Sequence, residues 1–247
     1  EANDDAARRA RLRVNKAGAV TVVETRILEE GSNNCAIGRR PEGFEGTGPC
    51  SEAPLAAYLE AAASLEEASI VAFERFAEEL ERFEAPKAFA RLARRAAKDE
   101  VRHTAMTKRM ARRFGGSPRA PSIAPTPPRS LLAFACENAR EGCVRETFGA
   151  LVAHVQSERA KSADLREAFE AIANDETEHA ALAWKVHAWL GERLDEEGKR
   201  RVRDAMDAAT QTLAEELREE ANAEVRFELG VPSATDSIAM FRALDAG

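Results

Sequence analysis

The sequence predicts an all-α fold: a four-helix bundle made of two helical hairpins, with a fifth C-terminal helix and a small N-terminal β-hairpin and loop extension. Three observations predict it. The motif Asp-Glu-x-x-His occurs twice, at Asp99-Glu100-Val101-Arg102-His103 and at Asp175-Glu176-Thr177-Glu178-His179. Alanine, glutamate, arginine and leucine dominate from about 55 to 225 in a helical pattern. A stretch holding five prolines, 115–130, separates the two copies.

Each element follows from local signals. Residues 11–28 alternate around Asn15-Lys16-Ala17-Gly18 and read as a β-hairpin. Gly31 to Pro54 is rich in Gly, Pro, Asn and Ser and reads as loop. A first helix begins near Ser51 or Pro54, where proline suits a first turn, and runs to about Phe83. Ala85-Pro86 turns the chain, and a second helix runs to Phe114, closed by Gly115-Gly116. Further helices are expected over 129–160, 163–191 and 195–225. The last twenty residues fit no single element. The domain boundaries expected are 1–53 for the extension, 54–192 for the bundle and 193–247 for the C-terminal helix and tail. The proline-rich stretch spans sixteen residues, which at ~3.1 Å each reach roughly 50 Å. That exceeds a bundle helix of ~30 Å and suits a connection crossing the bundle's full length.

The repeated motif carries chemistry. Glutamate and histidine three residues apart share one helix face. Each copy also has a glutamate upstream: Glu67 stands 33 residues before Glu100, and Glu141 stands 35 before Glu176. That separation returns each glutamate level with its motif after a helix, a turn and a helix. The expected metal set is therefore Glu67, Glu100, His103, Glu141, Glu176 and His179. Carboxylates and imidazoles without thiolates suit iron or manganese. Four buried carboxylates would repel one another unless two divalent cations balanced them. On a regular helix Glu141 and Glu146 lie ~140° apart, so both face one site only across a π-bulge. Glu146 is thus a candidate additional ligand. Asp99 is expected to orient His179 and Asp175 to orient His103, because metal-bound histidines give their second N–H to a carboxylate or carbonyl. Glu66, Glu74 and Glu178 read as surface positions. His154 and His187 read as structural, and Trp184, Trp189 and Tyr58 as core packing.

The chain resembles the ferritin-like superfamily of diiron and dimanganese proteins, and within it a bacterial ferritin-like domain family. The residues carrying the closer match are Gly38-Arg39-Arg40-Pro41-Glu42-Gly43, Asp99-Glu100-Val101-Arg102-His103, Glu141-Gly142-Cys143-Val144-Arg145-Glu146-Thr147 and His179-Ala180-Ala181-Leu182-Ala183-Trp184. The resemblance covers roughly residues 35–192. It implies a cofactor of two Fe ions, with Mn as the other candidate, bridged by Glu100 and Glu176 and flanked by His103 and His179. The implied activity is oxidase or oxygenase chemistry with O₂ or peroxide on a small-molecule substrate. Ferroxidase or iron handling with Fe(II) as substrate, and a metal-stabilised scaffold without turnover, are the alternatives. The rubredoxin-like iron centre of rubrerythrins is excluded, since no Cys-x-x-Cys occurs.

Composition bounds the rest. A net charge of −7 argues against a nucleic-acid platform, and no apolar run approaches the ~20 residues of a membrane span. A homo-oligomer is compatible with the pattern. Cys35 and Cys50 flank the loop as a candidate disulfide, which implies an oxidising compartment. With the start at Glu1 rather than methionine, this leans the expected localisation outside the cytoplasm.

Overall fold

The computed structural model describes residues 8–14, 20–27, 38–46 and 51–245. It divides into two compact units, 1–32 and 33–247. The first holds an antiparallel hairpin of β1 (Arg8–Val14) and β2 (Val20–Ile27), with a register shift between Arg11 and Leu12. Cys35 and Cys50 lie outside the described residues.

The second unit is a helical bundle. Its long helices are α1 (Pro54–Arg82), α2 (Lys87–Arg113) and α5 (Ala163–Gly191). The fourth long helix is α3 (Leu131–Glu137), a π-helical segment (Asn138–Glu146) and α4 (Thr147–Arg159) in one continuous run. Local signals set the ends. Proline occupies the first turn of α1, and the Ser130 hydroxyl accepts from Ala133 N at the start of α3. The expected fifth helix stops earlier than its composition suggests, as α6 (Glu196–Glu216). Asn222 then caps a separate α7 (Ala223–Leu229), and α8 (Ala234–Asp245) fills the tail.

Two apolar clusters form the core. One gathers Leu59, Met110, Val152 and Phe169 with Leu213 and Leu229; the other gathers Phe73, Phe76, Ala93, Phe134 and Val186. Following each helix from one cluster to the other gives its direction. α1 and α5 run the same way, and α2 and the 131–159 helix both run against them. Two successive helices that point the same way need a connection along their length.

Residues 114–130 make that connection along α1. Ser117 N donates to Glu60 Oε1 (2.5 Å), Arg75 Nη2 reaches Ala124 O (3.3 Å), and Arg82 Nη2 reaches Arg129 O (2.5 Å). The path from Glu60 to Arg82 covers ~33 Å of helix. Midway, β4 (Ser122–Ile123) pairs with β3 (Phe44–Glu45), which ties the linker to the 38–46 segment. Among the described residues no helix is long and apolar enough to cross a membrane.

Candidate metal centre

Between the two apolar clusters lies a layer of buried charge. α1 contributes Glu66, α2 contributes Glu100 and His103, the last π-helical residue is Glu146, and α5 contributes Glu176 and His179. All are at most 3% exposed. Glu66, Glu100, His103 and Glu176 each offer a ligand atom within 4.8 Å of the others.

The two central carboxylates are shared between the two imidazoles. Glu100 places Oε2 3.6 Å from His103 Nδ1 and Oε1 3.3 Å from His179 Nδ1. Glu176 does the reverse, with Oε1 3.4 Å from His103 Nδ1 and Oε2 3.6 Å from His179 Nδ1. Glu66 Oε2 lies 3.6 Å from His103 Nδ1. These are ion-pair separations, too long for good hydrogen bonds. Both oxygens of Glu100, Glu146 and Glu176, Glu66 Oε2, and Nδ1 of both histidines lack a hydrogen-bond partner. Buried polar atoms in native proteins are normally satisfied, and a pair of cations among these atoms would satisfy them together. The donor set, carboxylate oxygens and imidazole nitrogens on four facing helices, fits such a pair.

The outer ring nitrogens cross between the halves. His103 Nε2 lies 3.1 Å from Asp175 Oδ2, and His179 Nε2 lies 3.5 Å from Asp99 Oδ2. Arg102 clamps both aspartates, with Nη1 2.7 Å from Asp99 Oδ1 and Nη2 3.0 Å from Asp175 Oδ2. Phe73 packs against the His179 ring at 4.8 Å between centroids.

Electrostatics sorts the protons. Burial drives the Glu66 carboxyl well above its ordinary range, aided by repulsion from Glu100 and Glu176 against the pull of His103. Burial likewise pushes Glu146 up to about 8, with Arg39 and His179 opposing and Glu176 and Glu100 reinforcing. Burial would raise Glu176 too, but the adjacent His179 and His103 bring it down to about 2. Glu100 is lowered by the same two imidazoles, against its burial and the charge of Glu176. Both histidines are raised: burial disfavours their charge, and the surrounding carboxylates outweigh it.

The structure separates the expected ligands into two groups. Glu100, His103, Glu176 and His179 come together. Glu67 does not join them; it pairs with Lys108 Nζ at 2.7 Å, and Glu66, expected at the surface, faces the cluster instead. Glu141 also lies apart, accepting from Arg40 N at 3.3 Å, while Glu146 is fully buried on the cluster side. The helix between them is π-helical throughout, so the register change spans nine residues rather than one bulge. Glu74 and Glu178 are exposed. Trp184, expected in the core, is 44% exposed and donates to Thr147 Oγ1, and the His187 ring packs against it edge-on. His154 sits at the surface beside Thr177 Oγ1.

Three functional positions were not anticipated. Glu66 had a readable signal, because Leu59, Ala63, Phe73, Phe76 and Leu80 form the buried stripe of α1 and Glu66 falls in it. Arg102 gave only the i,i+3 spacing to Asp99, its contact with Asp175 lying far off in sequence, and the buried Arg39 gave none, since its contacts are all with residues distant in sequence. Arg39 donates from Nε and Nη2 to Glu137 at 3.0 and 2.9 Å. Glu137 and Glu141 also line an open cavity of about 1030 Å³, together with Phe44, Leu65, Arg129 and Arg201.

No protein-family model, curated protein or solved structure matches the chain. The site's chemistry therefore stands on its own residues.

Proposed function

We propose that the chain is a ferritin-like dinuclear iron protein that activates O₂ or peroxide to oxidise a small organic substrate. The observation that carries this reading is the cross-shared pair Glu100 and Glu176, each turning one oxygen to either imidazole. Glu66 with His103, and Glu146 with His179, would complete the two ends. Asp175 and Asp99 would accept the outer Nε2–H of each ring, leaving Nδ1 as the ligand atom. Arg102 would hold those aspartates, and Phe73 would keep water from His179.

Charge balance supports the pair. Burial raises Glu66 and holds Glu146 at about 8, and the surrounding carboxylates raise both imidazoles, so the layer holds protons in place of cations. Cations entering the layer would displace those protons, which limits the change in its buried charge. When bound, a ferrous pair supplies two electrons to an oxidant together. The 1030 Å³ cavity, whose wall includes Glu137 beside the Arg39 contact but none of the cluster residues, is large enough for a small organic molecule.

Anaerobic Fe(II) loading of metal-free protein followed by O₂ tests the proposal. Uptake of about two irons per chain and a single oxidation that needs reductant to repeat is the expected result. Continued Fe(II) consumption would make iron itself the substrate. Failure to take up any divalent metal would overturn the reading.

A further inference from the structure

We infer that the two metal positions are inequivalent, and that buried Arg39 makes them so by opposing a cation at the Glu146–His179 end. The inference rests on the paired-centre reading. Arg39 is 0% exposed. Its guanidinium is fixed on three sides: Glu137 takes Nε and Nη2, Asn138 Oδ1 lies 3.4 Å from Nη2, and Phe76 stacks beneath at 3.9 Å. Its backbone is fixed as well. Ser69 Oγ donates to Arg39 O at 3.0 Å, and the preceding Gly38 has φ +107 where a Cβ would stand 2.6 Å from Ser69 Oγ.

The third nitrogen is the telling one. Nη1 has no hydrogen-bond partner and points toward Glu146, 4.0 Å from its Oε2. Arginine keeps its charge in any protein setting. Glu146 therefore divides its attraction between a permanent cation and any metal held with His179. Glu66 has no such rival, since the groups acting most strongly on it are His103, Glu100 and Glu176 themselves. Arg102 reaches the aspartates behind both histidines and so weighs on both ends, whereas only a cation at the Glu146–His179 end also meets the positive tip of the Arg39–Glu137 pair. In a buried setting a charge at this range shifts affinity by about tenfold or more.

Co(II) titration of the metal-free, full-length protein, followed by calorimetry and the visible Co(II) spectrum, tests this. Two steps separated by about tenfold or more are expected. His103→Ala should remove the tight step and His179→Ala the weak one, and Arg39→Met should draw the two together by strengthening the second. One step filling two equal positions in the wild type, or loss of the steps in the opposite assignment, would overturn the inference and leave the paired centre standing. An Arg39→Met protein that folds yet keeps the wild-type gap would overturn Arg39 as its cause. If Arg39→Met does not fold, the two histidine variants still decide the assignment. Uptake of no Co(II) by the wild type would overturn the paired-centre reading itself.

Discussion

Glu66 and Glu67 differ by one position and by ~100° of helix rotation, and that rotation separates a buried carboxylate from a lysine-paired one. The prediction at this scale is a contrast. Glu66→Gln should lower metal content by about one ion per chain, whereas Glu67→Gln, which breaks only a partly exposed pair, should leave elemental analysis and melting almost unchanged. Glu146 gives a pH prediction. Its carboxyl is raised from an ordinary 4.5 to about 8, so the fold favours the neutral form. That contribution is fully present below 4.5 and is lost as pH rises through 8. The metal-free protein should lose stability between pH 5.5 and 8.5, with Glu146 accounting for a part on the order of 3 kcal/mol. Urea midpoints at the two pH values should converge in Glu146→Gln; an unchanged wild-type slope in that variant would exclude Glu146 as its source.

At the scale of elements, the π-helical segment Asn138–Glu146 sets which glutamate faces inward. Gly142 allows it to lie against α5: an added Cβ would stand 2.5 Å from Ala183 Cβ, and Arg39 Nη1 and Asn138 Oδ1 are also close. Gly142→Ala should therefore push the segment outward and cost about 1–3 kcal/mol through overpacking, read as a lower melting temperature. Because Glu146 would move with it, Co(II) uptake at the His179 end should weaken in the same variant. The linker shows how much an element's course is encoded locally. Its prolines make it stiff and long enough to run beside α1, while the short β3–β4 pairing that anchors it joins residues nearly eighty positions apart.

For the whole molecule, a charged layer separates two apolar clusters, and the fold must tolerate it with or without cations. Protons on His103, His179, Glu66 and Glu146 are the tolerable arrangement without metal. Loading divalent cations near pH 7 in weak buffer should then release protons from the layer, measurable by pH-stat. Saturating metal at a hundred times its dissociation constant should add ~2.7 kcal/mol of stability per site, and a chelator should remove it. Uptake of metal with no proton release would contradict the protonation pattern.

The sequence alone determined the four long helices of the bundle, the doubled Glu-x-x-His and the stiff connection, though not the break after α6 or the helix in the tail, since the former depend on residues within one or two turns of one another. Their spacing also carried the crossed pairing of Asp99 toward His179 and Asp175 toward His103, because a repeated motif on facing helices presents the same short reach twice. On α1 the apolar stripe already held Glu66 in its phase. Tertiary structure decided which glutamate turns inward on the 131–159 helix, through the extent of the π-helical register. It also brought Arg39 beside Glu146 across more than a hundred residues. A buried charge is placed by what packs around it, and packing joins segments whose nearness no local pattern records.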